Sequence, residues 1–350
     1  MMHISRRWLL SLIGLITIFA GSGWRHAAAQ LFFKPRRKVK PRSFNDPYRE
    51  GGKLLVGIAG GGTVVEMVKE AVSLIGGLKR IGVDGKTILV KPNVVSGESP
   101  PATTNPEVVG AVVELLFHEG ASRVIVGDMS ALLTLSTKRN FKRTGIKEAA
   151  EAAGAKVVYF EDYDWVEVEL PGGRYIERVY VTEWIYNVDA VINLPVIKTH
   201  RSASYSICLK NFIGCTHLKQ RPYLIDSSHW EELISDINLA YRPHLNIVDG
   251  TTSMVEGGPW EGTVANTNLI IAGGNRVAAD IVGLGIIKGL GRWAMVTEKD
   301  VWEQRQIIHA NKLGFGANKK DIKLLAKSIN YNKEFNGLLD KIRFNTGITA

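Results

Sequence analysis

The sequence predicts an α/β protein in which a mostly parallel sheet carries helices on both faces. Short runs rich in β-branched residues alternate along the chain with longer amphipathic stretches, the order that βαβ units produce. The 350 residues are enough for one large α/β domain, or for two lobes on a shared sheet.

The individual elements follow from the spacing of apolar residues, which differs between strands and amphipathic helices. Strands are predicted in the β-branched runs at 53–59, 87–91, 123–127, 156–160, 190–194, 245–248 and 269–272. Helices are predicted in the amphipathic stretches at 63–78, 106–119, 138–153, 230–240 and 276–288. Residues 165–181 alternate around a Pro-Gly-Gly turn and predict an inserted β-hairpin. Residues 53–290 would then form the domain, with a helical C-terminal extension at 291–350 packed on it.

The N-terminus has the features of a cleavable signal peptide over residues 1–29. Arg6 and Arg7 precede an apolar run over residues 8–23, and small residues end at Ala29. The run is shorter than the about 20 residues that a membrane span needs, although an uncleaved anchor stays an alternative. The arginine pair also resembles the twin-arginine signal for export of folded proteins. The sequence therefore predicts an exported protein, periplasmic or otherwise extracytoplasmic.

The formal net charge of +10 is concentrated near the N-terminus. Three arginines lie in the predicted signal, and six further basic residues follow it without an acidic one: Lys34, Arg36, Arg37, Lys38, Lys40 and Arg42. The remainder of the chain is close to neutral, so the charge does not indicate nucleic-acid binding. Residues 30–52 are predicted to form a flexible arm, and residues 34–42 a peripheral contact with an anionic membrane surface.

Polar side chains follow the predicted strands at their carboxyl ends. Open α/β sheets bind ligands at these ends, because the connecting loops meet there. Residues from four strand ends are therefore predicted to line one cleft: Lys91, Asn93, Asp128, Lys198, His200 and Asp249.

Short motifs at these strand ends resemble a known family, the proteins grouped as domain of unknown function 362. The motifs occur in the family's order between about residues 53 and 290, and they are Lys91-Pro92-Asn93, Thr104-Asn105-Pro106, Asn193-Leu194-Pro195, Lys198-Thr199-His200, Leu209-Lys210-Asn211 with Gly214, and Val248-Asp249-Gly250. The resemblance implies an α/β domain without an assigned activity. Some members are fused to ferredoxin-type iron–sulfur modules, and this chain lacks the cysteine runs that such modules need.

The cationic residues predict a site for a small anionic ligand. Lys91 and Lys198 would place two ammonium groups over the sheet edge to hold a carboxylate or phosphate. Asn93 would add an amide, and Lys210 and Asn211 on the following helix would bring a third cation. Asp128 would line the same pocket.

Acid–base chemistry is a further expectation for this pocket. His200 lies two residues from Lys198, whose charge would keep the imidazole neutral near pH 7. His200, Lys198 and Asp249 are therefore the candidate catalytic residues. Asp280 interrupts an apolar helix, and a buried carboxylate needs a partner, so Lys198 or Lys210 is expected to pair with it.

Structural interpretations compete with several of these assignments. Lys91 alternatively forms a structural ion pair with Asp128 or Asp249, and His200 is alternatively a surface histidine. The glycine-rich turn at residues 57–63 is either an anion cradle or a tight turn. The Gly-rich loop at residues 257–262 would cover a bound ligand with its tryptophan, Trp260.

Cofactor and metal chemistry are less well defined by the sequence. Cys208 and Cys215 are the two cysteines, and if one helix carries both, their Cα atoms stand about 10 Å apart, too far for a disulfide. Buried free thiols, a disulfide permitted by a break at Gly214, or a metal role with His217 stay open. No pair has a familiar zinc spacing, no metal ligand is assigned, and the cofactor is undetermined.

Three functional hypotheses follow. The first is an exported enzyme acting on a small anionic substrate. The second is a non-catalytic ligand- or cofactor-carrying envelope protein, with a metal-binding, redox-associated protein as a variant. The third is an interaction protein in which the polar residues only stabilise the strand ends.

Overall fold

The computed structural model describes residues 34–348, and the chain from Pro35 onward belongs to one compact unit. The predicted signal peptide at residues 1–29 lies outside the described residues. The strands are β1 (Lys38–Val39), β2 (Arg49–Glu50), β3 (Lys53–Gly60), β4 (Thr87–Pro92), β5 (Arg123–Asp128), β6 (Lys156–Tyr159), β7 (Trp165–Glu169), β8 (Arg178–Thr182), β9 (Ala190–Leu194), β10 (Val196–His200), β11 (Ser204–Ser206), β12 (Leu245–Gly257), β13 (Gly262–Gly273) and β14 (Ile322–Ser328).

The α-helices of the described residues connect these strands or follow them. They are α1 (Val64–Leu74), α2 (Pro106–His118), α3 (Thr137–Arg143), α4 (Ile146–Ala152), α5 (Cys208–Asn211), α6 (Pro222–Ile225), α7 (Trp230–Ile237), α8 (Arg276–Leu290), α9 (Ala294–Thr297), α10 (Arg305–Lys312) and α11 (Lys333–Thr346). None of the helices between residues 34 and 348 is both long and apolar enough to cross a bilayer.

The main sheet is mostly parallel, as predicted. Its strand order is β14-β3-β13-β12-β9-β4-β5-β6, with β2 paired to β3, β10 to β12 and β11 to β10. Along this path only β13 runs antiparallel to its neighbours. The carboxyl ends of β4, β5, β9 and β12 therefore lie at one edge of the sheet.

The two faces of the sheet are covered by different helices. Side chains at alternate strand positions, such as Ile88, Val90 and Val126, form a core with α1, α2 and α4. The intervening positions point to the opposite face, where α8 packs on β10, β12 and β13, and α11 packs along α8. The prediction of helices on both faces is confirmed.

The basic segment at residues 34–52 differs from the flexible arm predicted for it. Strand β1 pairs in parallel with β7, and with the predicted β7–β8 hairpin it forms a separate three-stranded sheet. Arg36 forms an ion pair with Asp164 at 3.4 Å, and Lys38 with Glu167 at 3.3 Å. Acidic groups of the body thus engage part of the charge that was predicted to contact a membrane.

Three other elements differ from the sequence prediction. The helix predicted at 138–153 is divided into α3 and α4, because Gly145 adopts a left-handed conformation with φ of 76°. Residues after Pro195 form β10, a further buried strand beside β12. The C-terminal region is largely helical, as predicted, but it also contributes β14 to the edge of the main sheet.

Candidate functional site

A buried ion pair lies where β4 and β5 end. Lys91 Nζ is 2.7 Å from Asp128 Oδ1, and both side chains are buried. The same ammonium donates to Pro92 O at 2.8 Å and to Asn211 Oδ1 at 3.2 Å. Asp128 Oδ2 accepts from Val94 N at 2.7 Å. This geometry matches the structural alternative for Lys91, because three oxygens of the protein surround its ammonium.

Buried amides continue from this pair across the sheet. The strand register places Lys91 opposite Asn193 and Asn193 opposite Asn246, all on the face that α8 covers. Asn211 Nδ2 donates to Asn193 Oδ1 at 2.8 Å, and Asn193 Nδ2 donates to Asn246 Oδ1 at 2.9 Å. A fully paired polar network of this kind holds α5 in a fixed position over the strand ends.

Asn93 organises the loop between β4 and α2. Its backbone N donates to Thr104 Oγ1 at 2.8 Å, and this hydroxyl donates to Leu194 O at 2.9 Å. The Asn93 side-chain oxygen accepts from Val95 N at 3.2 Å. The contacts of the Asn93 oxygen shape this loop, and the ligand-binding role of Asn93 stays a prediction.

Asp249 lies within β12, and its side chain reaches the start of α2. Its Oδ2 accepts from Asn105 N at 2.8 Å, and its Oδ1 accepts from Thr251 N at 3.0 Å and from Thr251 Oγ1 at 2.7 Å. Burial raises the pKa of Asp249, while these donors lower it. Both oxygens of Asp249 accept hydrogen bonds from the protein and hold the start of α2, and the catalytic role of this residue stays a prediction.

Asp280 does not pair with Lys198 or Lys210, and that prediction is wrong. Its carboxylate accepts from Cys208 N at 2.6 Å and from Leu209 N at 3.2 Å, the first backbone amides of α5. Burial raises the pKa of Asp280 to about 7. The acidic residue inside an apolar helix therefore satisfies the free N–H groups of a neighbouring helix.

Lys198 lies beneath the loop that joins β12 to β13. Its buried ammonium donates to Ala102 O at 2.6 Å and to Pro259 O at 3.4 Å, which leaves one proton for another acceptor. Burial lowers the pKa of Lys198 well below its usual value, and the charge of Lys210 lowers it further. Trp260 follows in the same loop, and its buried Nε1 has no hydrogen-bond partner among residues 34–348.

His200 shares the face of β10 that carries Lys198. Its ring centroid is 5.3 Å from that of Trp230, and Lys210 Nζ stands 5.3 Å from the Trp230 ring. Burial and the charges of Lys210 and Lys198 lower the pKa of His200 well below its usual value. Nδ1 accepts from Ser202 N at 3.2 Å, which assigns the proton of the neutral ring to Nε2.

Arg221 is a buried cation of this region that the sequence analysis missed. Its Nη2 donates to Met129 O at 3.3 Å, and its Nε has no hydrogen-bond partner in the described part of the chain. Burial, followed by the charges of Arg221 and Lys91, lowers the pKa of Lys210 to about 7. The only local signal for Arg221 was its position before Pro222, at the start of a short helix.

These residues form a cationic cluster, defined as Lys91, Lys198, Lys210 and Arg221. Each interacts electrostatically with at least one other member. Asp128 forms an ion pair with Lys91, its charge also raises the pKa of Lys198, and the charges of Asp128 and Glu161 raise the pKa of Arg221. Like charges placed together in a low-dielectric site repel, so the cluster can accept negative charge.

The glycine-rich turn at residues 57–63 serves close packing. A Cβ at Gly60 would lie 2.1 Å from the Phe335 ring, and one at Gly61 would lie 2.3 Å from Asn332 Cβ. The start of α11 thus fills the space that the anion-cradle interpretation required.

The two cysteines are free, buried thiols. Burial raises the pKa of Cys215 to about 12 and that of Cys208 well above its usual value. His217 accepts from Lys219 N at 3.2 Å, and burial lowers its pKa to about 3. Within residues 34–348, no three His, Cys, Asp or Glu side chains are grouped as metal ligands would be.

Comparisons with known proteins place this site in context. A thylakoid-associated protein of Synechocystis sp. is 25% identical over 240 residues, which cover 65% of this chain and 71% of that protein. The lactate racemase apoprotein from Thermoanaerobacterium thermosaccharolyticum has a TM-score of 0.36 and 11% identity, with 85% of this chain and 88% of that chain covered. A Thermotoga maritima protein has a TM-score of 0.30 and 13% identity, and the similarity spans about half of each chain, 53% and 50%.

A protein-family comparison covers the part of the chain that contains the strand-end motifs. The family described as Domain of unknown function (DUF362) matches residues 88–285, more than half of the chain, and this range includes all four members of the cationic cluster. The resemblance identified from the motifs is confirmed, and the chain belongs to the DUF362 family.

Proposed function

We propose that this protein binds a small anionic ligand, a carboxylate or phosphate, through Lys198, Lys210 and Arg221. The observation that carries the proposal is the excess of positive charge in the cationic cluster, whose four cations outnumber Asp128 and Glu161, the carboxylates that act on them. Burying unpaired cations is costly, and a bound anion would offset that cost. Arg221 Nε and the third proton of Lys198 are donors that a ligand would engage.

The role of Lys91 differs from the one predicted, since it helps to position Asn211 and α5. The ligand-binding set proposed from the geometry therefore replaces Lys91 with Arg221. Asn93, Asp128, Asn211 and Asp280 support the site through backbone and side-chain hydrogen bonds within the protein.

The test is thermal unfolding in phosphate, sulfate and dicarboxylates at constant ionic strength. We expect at least one anion to stabilise the folded chain, by about 2.7 kcal/mol at a hundredfold excess over its Kd. Lys198→Met and Arg221→Met should each lose this response. The exposed Lys219, two residues from Arg221, supplies a matched control, and Lys219→Met should respond as the native chain does. Equal responses of Lys219→Met and Arg221→Met would contradict the proposal.

An enzyme is the second candidate, and the neutral His200 is the observation that favours it. A neutral imidazole with its proton on Nε2 is suited to donate a hydrogen bond to an anionic substrate and so to polarise it. Stabilising anions from the unfolding experiment can be incubated with the chain in deuterated water and followed by NMR. Deuterium incorporation that His200→Gln abolishes, with anion binding retained, would support the enzyme. Binding without exchange favours a non-catalytic ligand-carrying protein.

Export to an extracytoplasmic compartment is part of the proposal. It rests on the features of residues 1–29, and the description of the Synechocystis relative as thylakoid-associated supports a location near a membrane. N-terminal sequencing of the exported protein is expected to begin at or near Gln30. Retention of the protein in the cytoplasm with Met1 or Met2 at its N-terminus would contradict export.

A further inference from the structure

The cationic cluster has an exposed apolar rim beside it. Leu133, in the turn after β5, is 62% exposed, and Tyr223 and Ile225 on α6 are 42% and 41% exposed. The two segments are in contact, because the Tyr223 hydroxyl lies against the backbone of Leu132. Arg221 immediately precedes α6, so the rim is joined directly to the buried cations.

A basic helix continues this surface. Helix α3 begins four residues after Leu133, and Arg139 donates to Leu135 O at 2.8 Å, which ties the helix to the same turn. The exposed basic residues of α3 are Lys138, Arg139, Lys142 and Arg143. Among them, only Arg143 has an ion pair with a described carboxylate, Glu98, at 3.6 Å.

One acidic residue close to the rim, Asp226, offsets only part of the charge of the four basic residues of α3. Asp226 follows Ile225, and its carboxylate accepts from Ser228 N at 2.8 Å and contacts His229 Nδ1 at 2.5 Å. Exposed apolar side chains beside unpaired basic ones are typical of proteins that bind anionic membrane surfaces.

We propose that this surface, defined as Leu133, Tyr223, Ile225 and helix α3, docks on an anionic lipid membrane. Docking would bring headgroup phosphates to the cationic cluster, and in this respect the inference rests on the proposed function. A freely dissolved phosphate would use the same cations but would have no need of the apolar rim. The exposed apolar rim therefore favours a lipid headgroup over a dissolved phosphate as the ligand.

Vesicle cosedimentation tests the docking. We expect the native chain to sediment with vesicles of phosphatidylcholine and phosphatidylglycerol but not with phosphatidylcholine alone. Leu133→Asp should weaken binding by about tenfold, because it removes an inserted side chain and adds repulsion. Lys142→Glu should weaken binding too. Phe344 on α11 is 87% exposed, and Phe344→Asp is a matched control that should bind as the native chain does.

The outcomes separate docking from the proposed anion site. Leu133→Asp is expected to keep the native melting shift in dissolved phosphate, which also shows that the variant is folded with an intact site. The docking would be overturned if Leu133→Asp and the native chain bound anionic vesicles equally. It would also be overturned if the native chain bound neutral vesicles as well as anionic ones. Rim-dependent vesicle binding without any melting shift in phosphate would support docking and count against the anion site.

Discussion

Replacing Asp128 with alanine is expected to lower the free energy of unfolding by about 3–5 kcal/mol, because the change leaves a buried ammonium without its counter-ion. The Lys91–Asp128 pair is buried, with 2.7 Å between Nζ and Oδ1, so water cannot replace the lost carboxylate without rearrangement. Val94 N would lose its acceptor as well. Gly214 approaches the pair so closely that a Cβ there would stand 2.1 Å from Asp128 Oδ1.

Urea unfolding at neutral pH measures this effect, and an exposed ion pair provides its control. Glu98→Ala removes the partner of Arg143 at 3.6 Å on the surface, and it should cost about 0–1 kcal/mol. Lys91→Met combined with Asp128→Leu should recover much of the stability lost by Asp128→Ala, since neither charge then remains buried. A cost for Asp128→Ala no greater than that for Glu98→Ala would show that the pair is not structural.

The stability of the ligand-free chain is expected to rise with pH between about pH 7 and pH 9.5. Lys210 has a pKa of about 7 in the folded chain, against 10.5 for an ordinary lysine. The unfolded chain therefore binds more protons over this range, and deprotonation favours folding. The difference in pKa corresponds to about 5 kcal/mol over the whole range between the two pKa values, which is an upper limit because the Lys210 side chain is not fully buried.

Other groups limit the window in which this rise can be measured. The pKa of Asp280 is raised to about 7, so its ionisation lowers stability as pH increases from about 4 to 7. Burial raises the pKa of Tyr48 and Tyr186, whose unfolded forms ionise near pH 10, so their contribution is lost above that pH. Together these shifts predict lowest stability close to pH 7, where Asp280 and Lys210 both carry charge in part of the molecules.

Unfolding free energies measured at pH 7, 8 and 9 in Lys210→Met test the assignment. Lys198 also has a lowered pKa, so the free energy of unfolding of Lys210→Met should still rise with pH, but by less than that of the native chain. Lys219→Met should keep the native rise. Phosphate should flatten the native profile if it binds and holds Lys210 in its charged form. If the free energy of unfolding of Lys210→Met rose with pH as much as that of the native chain, another group would be responsible for the rise.

Much of the fold could be predicted from local patterns. β-branched runs and amphipathic stretches alternate along the chain, and the predicted strand at 190–194 has the observed bounds. Element type is a local property, because a period of two or of 3.6 residues is visible within a short window. Strand β10 was missed because it ends in the polar residues Lys198, Thr199 and His200, and β14 because its partner β3 lies far away in the chain.

The site could be predicted only as a set of strand-end residues, without their partners. The motifs locate Lys91, Lys198, His200 and Lys210 correctly near one edge of the sheet, and no periodicity indicates Arg221. Asp280 shows the limit most clearly: its burial could be predicted from its apolar neighbours, whereas its partners could not.

The sequence by itself determined the α/β class, the order of the strand-end motifs and the family, because these depend on residues close together in the chain. Only the tertiary structure decided which charges are paired. Register places Lys91 opposite Asn193, and packing brings Asp128 to Lys91 and gathers Lys198, Lys210 and Arg221 around this pair. The role of a charged side chain depends on the charged and polar groups within a few ångströms of it. Contacts between distant parts of the chain set those distances.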